Sequence, residues 1–385
     1  CMEEIGSFEL FDSKSILLIS IGVFGCSIAF IFLYQFGMIR YLMAILLLIV
    51  AIGQYKRIIS VIKSIRKRKK EVRNMSFTEV IKRSKTIRRI GKSLKIYKEF
   101  LNDAHGFSSS YIEAAEEKEN YKYSILLLVH SLEKGMCMPS PRPFGGSKVE
   151  KLIELIKNYQ GDSSDFEYKI AVETLFSWKK FYEKHGWSNE KTYQEVNDFL
   201  TSYNESEFVT GSKRYSYKAF PQEEINGFEH ILFSRHSVRD FKKQNLMKSD
   251  VDFAVKCFQE APTACNRQMC KVFLVKSNNV KNLLDETLIG ISGFNKDTVN
   301  YFVVTYDLAA FAYSGERQQG LFNAGLCTMN FINGLHARGI GSCCLQWSNK
   351  HAEDLKVRKA LELQDSERIA VVIAAGYYLE ETVIP

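Results

Sequence analysis

Ser234-Arg235-His236-Ser237-Val238-Arg239-Asp240-Phe241 places two guanidiniums, an imidazole and a hydroxyl within five consecutive positions, 235–239. A phosphate needs several convergent donors, and arginine offers a planar fork that grips its oxygens in pairs. In an extended stretch, alternation puts Arg235, Ser237 and Arg239 on one side. Taken alone, the same string also fits a solvated basic turn. A helix over Glu223–Phe233 leads into it, and a second over Lys248–Glu260 follows. That second helix runs into Ala261-Pro262-Thr263-Ala264-Cys265-Asn266-Arg267-Gln268, a Pro-led polar loop ahead of a strand over Lys271–Val275. Such loops commonly carry ligand contacts. Further on, Gln319–Arg338 reads as a long helix closed by Gly339. Its small residues Gly320, Ala324, Gly325 and Thr328 would allow close approach of another helix, as at the core of a dimer. Glu316 and Arg317, just before it, read either as a gate on the pocket or, more blandly, as a surface ion pair. Then comes Gly339-Ile340-Gly341-Ser342-Cys343-Cys344-Leu345-Gln346-Trp347, where glycines would let backbone approach a flat ligand. Ile369–Tyr378 reads as a buried strand.

R-H-S-x-R-x-F, then A-P-T-x-x-N-x-Q, then a small-residue helix into G-I-G-S, then a terminal strand ending in G-Y, together resemble the nitroreductase family over about 165 residues, 220–385. The resemblance implies an α+β fold, a mixed, mainly antiparallel sheet flanked by helices. It also implies a homodimer with two FMN sites at the subunit interface. Carried over, Arg235, Ser237 and Arg239 would hold the FMN phosphate, with His236 alongside. Pro262, Thr263, Ala264, Asn266 and Gln268 of the partner would border the isoalloxazine ring, and Gly341, Cys344, Leu345 and Gln346 would cover its other side. NAD(P)H would deliver hydride to the flavin and leave before a second substrate accepts electrons. No side chain need act as acid or base, so no catalytic residue is named. The chain departs from the family twice. Met269-Cys270 replaces the usual Pro-Trp, and Glu380-Glu381-Thr382-Val383-Ile384-Pro385 supplies no basic residue after the terminal strand.

Upstream, 96–219 reads as a helical region, with helices over Tyr121–Lys134, Val149–Tyr159, Asp165–His185 and Glu190–Tyr203. His130 and Glu133 share a helix face beside Lys134. They form either a proton-handling pair or, more blandly, a polar helix end capped by Gly135. This H-x-x-E-K-G string, with Pro143-Phe144-Gly145-Gly146, resembles the N-terminal region of nitroreductase-like proteins from surface-polysaccharide gene clusters.

After an N-terminal tail, 1–14, residues 15–39 carry no charge, and a second charge-free run covers 41–55. Twenty helical residues span about 30 Å, the thickness of the hydrocarbon core, so 15–55 reads as a transmembrane hairpin. A basic juxtamembrane segment, 56–95, follows with 16 Lys or Arg against two acids. The whole chain is +8, so all the excess positive charge sits there. Such clusters stay on the cytoplasmic side. The expectation is therefore an enzyme on the cytoplasmic face of the cell membrane, with membrane lipid as a partner and nucleic acid excluded.

Nine cysteines without CxxC pairs or His-flanked spacing argue against a structural metal and a disulfide scaffold. No Ser-His-Asp, paired-carboxylate or P-loop pattern competes. The expected activity is an FMN-dependent NAD(P)H oxidoreductase acting on a small or lipid-linked substrate. The alternatives are a flavin-fold scaffold or sensor without turnover, and a different flavin chemistry such as reductive dehalogenation or oxidative desaturation.

Overall fold

The computed structural model describes residues 85–111, 120–206 and 210–384, and 45, 49, 59 and 60 singly. The chain divides into two compact units, 1–92 and 93–385. Apart from those single positions, the expected hairpin over 15–55 lies outside the described residues. Among the described residues no helix is long and apolar enough to cross a membrane.

The second unit is organised around a four-stranded antiparallel sheet of order β1-β2-β4-β3, built from β1 (Cys270–Leu274), β2 (Asn300–Asp307), β3 (Ile340–Leu345) and β4 (Glu367–Tyr377). The two central strands are the most apolar, and their side chains alternate between faces as the pleat requires. Tyr301 and Val303 of β2, with Val372 and Ala374 of β4, face one core; Phe302, Val304, Ile373 and Ala375 face the other. The first face is covered by α8 (Asn278–Thr287) and α10 (His351–Ala360), through Val280, Leu284 and Val357. The second is covered by α7 (Lys248–Gln259) and α9 (Gln319–His336), through Ala254, Phe258, Ala324, Phe331 and Leu335. The α+β expectation holds. The sheet is mixed only through one isolated parallel bridge, Ser237 to Ser342.

Helices α2 (Tyr121–Met136), α3 (Gly146–Lys157), α4 (Phe166–Lys184) and α5 (Lys191–Leu200) build a third core around Leu132, Leu152, Leu175 and Trp178. Leu308–Phe311, which follow β2, and Met269, which precedes β1, are part of that same core. A buried hydrogen bond from Tyr123 Oη to Asp307 Oδ2 (2.9 Å) ties α2 to the end of β2. Helix α1 (Lys85–Ser108) precedes these four, and α6 (Gln222–Ser234) follows them and leads to the arginine motif.

Two glycine readings change. Gly135 does not end α2, which continues to Met136. A Cβ on Gly135 would fall within 2.1 Å of the Phe144 ring. Phe144 in turn packs edge-on to Trp178 and Phe181, so the two halves of this odd segment are joined by packing. On α9, Gly320 makes room for the Tyr306 ring and Gly334 for the backbone of Ala254. Most of that helix's small face is therefore spent inside the chain, while Leu321, Phe322, Gly325 and Met329 point outward.

Candidate functional site

Motif one lies along the outer edge of β3. Helix α6 stops at Ser234, Arg235 turns extended (φ −73°, ψ 124°), and Val238 N–H donates to the Ser342 carbonyl (3.0 Å). This docking places Arg235, His236 and Ser237 half-buried against the sheet and leaves Arg239 exposed. Arg235 Nε is buried with no hydrogen-bond partner, an uncommon state for so polar an atom. Around it stand the imidazoles of His230, His236 and His336. His336, on the last turn of α9, pairs with Ser234 Oγ and Tyr378 Oη, each at 2.8 Å. Burial first, and then Arg235, His230 and His236, hold His336 below the ordinary histidine range. Burial raises the Cys343 thiol, with Arg239 and Arg235 pulling it back. A buried guanidinium donor left without a partner suits an anion. The donors present fit the phosphate of FMN.

The glycine-led segment expected to approach a flat ligand forms strand β3. Gly341 is buried, and a Cβ there would meet Val238 and Tyr378 at 3.1 Å, so protein fills the space a flat ligand was expected to use. Leu345 points into the core, whereas Cys344 and Gln346 are exposed at the end of the strand.

Motif two sits at the opposite edge, immediately before β1. Cys265 (φ 52°), Asn266 (φ 50°) and Gln268 (φ 50°) are three of the four non-glycine residues with positive φ among the described residues. Left-handed backbone costs a side-chain-bearing residue about 1–2 kcal/mol, and such strain gathers where function fixes geometry. The surrounding bonds hold it. Asn266 N donates to the Thr263 carbonyl (2.9 Å) and Gln268 N to Thr263 Oγ1 (3.0 Å). Arg267, fully buried, donates to the carbonyls of Ala264 (3.0 Å) and Ala310 (2.6 Å) and forks onto both oxygens of Glu316 (3.0 and 2.5 Å). Burial would raise the Glu316 carboxyl, but bonds from Arg267 and from Ala312 N outweigh it and hold the group below its usual range. Glu316 thus pairs inward with Arg267 rather than at the surface with Arg317. Pro262, Asn266 and Gln268 are exposed, while Thr263 and Ala264 are half-buried.

Within one chain, motifs one and three share the β3 edge, and motif two lies at the β1 edge, three strand spacings or about 14 Å away. His230 and His336 were not singled out for this site by sequence reasoning, and Arg267 and Glu316 were not paired. Nothing local signals that pair, because Arg267 sits in a polar loop and Glu316 stands beside Arg317.

The nitroreductase family model matches the chain over 232–310 and 301–377. No curated protein matches. Among solved structures, the chain is similar to an FMN-dependent nitroreductase from Clostridium difficile R20291, with 21% identity, 40% of this chain and 90% of that one covered, and a TM-score of 0.35. A provisionally named nitroreductase in complex with FMN, from Desulfovibrio desulfuricans, is 17% identical, with 40% and 90% covered and a TM-score of 0.34. A provisionally named NADH dehydrogenase/NAD(P)H nitroreductase from Parabacteroides distasonis is 21% identical, with 39% and 86% covered and a TM-score of 0.35. The match to the nitroreductase family model thus spans 232–377, the segment that holds the arginine motif and the whole sheet.

Proposed function

We propose that this domain is an FMN-dependent oxidoreductase that works as a homodimer, draws electrons from NAD(P)H and passes them to a small or lipid-linked substrate. The observation that carries the reading is the buried, unpartnered Arg235 Nε among the imidazoles of His230, His236 and His336, inside the family-matched segment. Arg235, Ser237 and Arg239, with His236 beside them, would bind the phosphate. Bound FMN would supply the hydride chemistry, as cofactors do. The chain's residues bind, orient and shield. The strained 262–268 loop of a second copy would border the ring, because one chain holds its own loop at the far edge of the sheet. Outward-facing apolar side chains support that pairing: Ile225, Phe228 and Phe233 on α6, which buries none of its residues, and Leu321, Phe322 and Met329 on α9. Exposed Cys344 and Gln346 would border the other side of the ring, with Gly341 and Leu345 setting the strand behind them.

The chain would be held at the cytoplasmic membrane face by its apolar run over 15–55, with the basic segment beside anionic lipid. A lipid-linked substrate is the natural motive for such tethering, and the H-x-x-E-K-G resemblance points the same way.

The test is the visible spectrum of the purified protein with and without NADH or NADPH. A flavin spectrum that bleaches is expected, and Arg235→Ala/Arg239→Ala should lose most bound flavin, at about 1.5–3 kcal/mol per charge-assisted bond. A double variant that stays fully yellow would overturn the phosphate site. The same spectrum separates the alternative of a flavin-fold scaffold without turnover. Bound flavin that no nucleotide bleaches would select it.

A further inference from the structure

Helix α1 (Lys85–Ser108) presents two opposite faces. One is docked onto the second unit: Glu99 Oε2 accepts from His351 N (3.1 Å), Gly106 lies against the Arg368 guanidinium, and Phe107 stacks on Phe311 at 5.9 Å. The other carries Leu94, Tyr97 and Leu101 at i, i+3 and i+7, exposed by 64, 66 and 68%, with Phe100 alongside at 67%. These spacings form a single stripe. Water does not stabilise so much contiguous apolar area, and such patches mark contact sites. From Lys85 to Lys98 the helix bears Lys85, Arg88, Arg89, Lys92, Lys95 and Lys98 and no acid. Its first carboxylate, Glu99, is engaged on the docked face.

We propose that the outward face of α1 lies in the headgroup layer of an anionic phospholipid bilayer, with Leu94, Tyr97 and Leu101 dipping toward the acyl chains and the lysines on phosphodiester groups. An apolar stripe with Lys95 and Lys98 along one side matches the composition of helices that rest in that layer. A second copy of the same face is the poorer occupant, because it would bring like-charged helices together. The charge-free runs over 15–39 and 41–55 and the cations of 56–70 precede the helix in sequence and would favour the same kind of surface. This deepens the anchoring reading yet is separable from it.

The test uses the full chain with photoreactive benzoylphenylalanine in place of Tyr97, and separately of Leu101, mixed with vesicles of phosphatidylcholine alone or with phosphatidylglycerol added. Lipid adducts on the phosphatidylglycerol vesicles are expected. They should fall several-fold on phosphatidylcholine, in high salt, and in Lys92→Glu/Lys95→Glu/Lys98→Glu. Adducts mainly to a second copy, equal lipid yields on both vesicles, or no lipid adduct would each overturn the proposal. Flotation with phosphatidylcholine vesicles reports the apolar run instead. If that run does not insert, flotation fails there, while phosphatidylglycerol adducts at position 97 persist.

Discussion

Arg267 and Arg235 carry the same guanidinium and flank the same domain sheet, yet their surroundings are opposite. Arg267 makes four hydrogen bonds, two of them to a carboxylate, and holds a loop with three left-handed residues in place. Arg235 has a buried Nε that bonds to nothing and sits among histidines. The first arrangement sets geometry before any ligand arrives, since its strain is held by internal bonds. The second is incomplete without an anion. A site that must align a flat ring and also attach a charged tail benefits from both, with shape supplied by one edge and charge demand by the other.

Arg→Met at the two positions should therefore differ in the sign of its effect on stability. Arg267→Met leaves Glu316 buried without its partner, and breaking such a pair costs about 3–5 kcal/mol. The unfolding midpoint in denaturant should drop sharply, and Arg267→Met/Glu316→Leu should recover most of the loss, because replacing both partners by apolar groups is often neutral. A single variant as stable as the parent would mean the pair does not hold the loop. Next in size, Arg235→Met removes an unsatisfied donor whose burial costs about 1–3 kcal/mol. The flavin-free protein should be as stable as the parent or more so, while FMN affinity measured by fluorescence titration falls about tenfold or more. Loss of stability together with unchanged affinity would reverse the roles assigned to the two edges.

How much of this could be read from the sequence depended on whether the pattern was local. Helices such as Tyr121–Met136 and Phe166–Lys184 were legible within a few residues because their apolar spacing is self-contained. The arginine motif was legible as a run of donors. Strand β2, at the centre of the sheet, was passed over because Asn300–Asp307 carries no motif and follows an irregular stretch. Strand β3 was given no secondary structure, because Gly339 and Gly341 drew the reading toward ligand approach. Only the structure shows Gly341 closed over by Val238 and Tyr378. The Arg267–Glu316 pair joins residues 49 positions apart, a distance over which no periodicity reports. His336 is distant in sequence from Arg235 and meets its surroundings only because α9 and α6 end side by side, joined by the bond to Ser234.

The smallest expected effect separates the two edges by pH. His336 has both ring nitrogens engaged and a folded pKa below the ordinary 6.5. Protonation is then easier in the unfolded chain, so its contribution to stability is complete above 6.5 and is lost as pH falls from there through the lower folded value. Glu316 is depressed below its ordinary 4.5, so its contribution is present above 4.5 and is lost only as pH falls further. Two separate windows follow, one for each edge. In flavin-free protein, the decline between about pH 6.5 and the carboxylate range should flatten in His336→Asn and remain in Arg267→Met/Glu316→Leu. An anion seated among Arg235, His230, His236 and His336 would favour the charged imidazole and raise its pKa. Saturating inorganic phosphate should therefore flatten the same decline in the parent and leave the window below 4.5 unchanged. NMR titration of the His336 ring checks this directly, since its midpoint should move up with phosphate. A midpoint that ignores phosphate would place the anion elsewhere and leave the orphaned Arg235 without its expected partner.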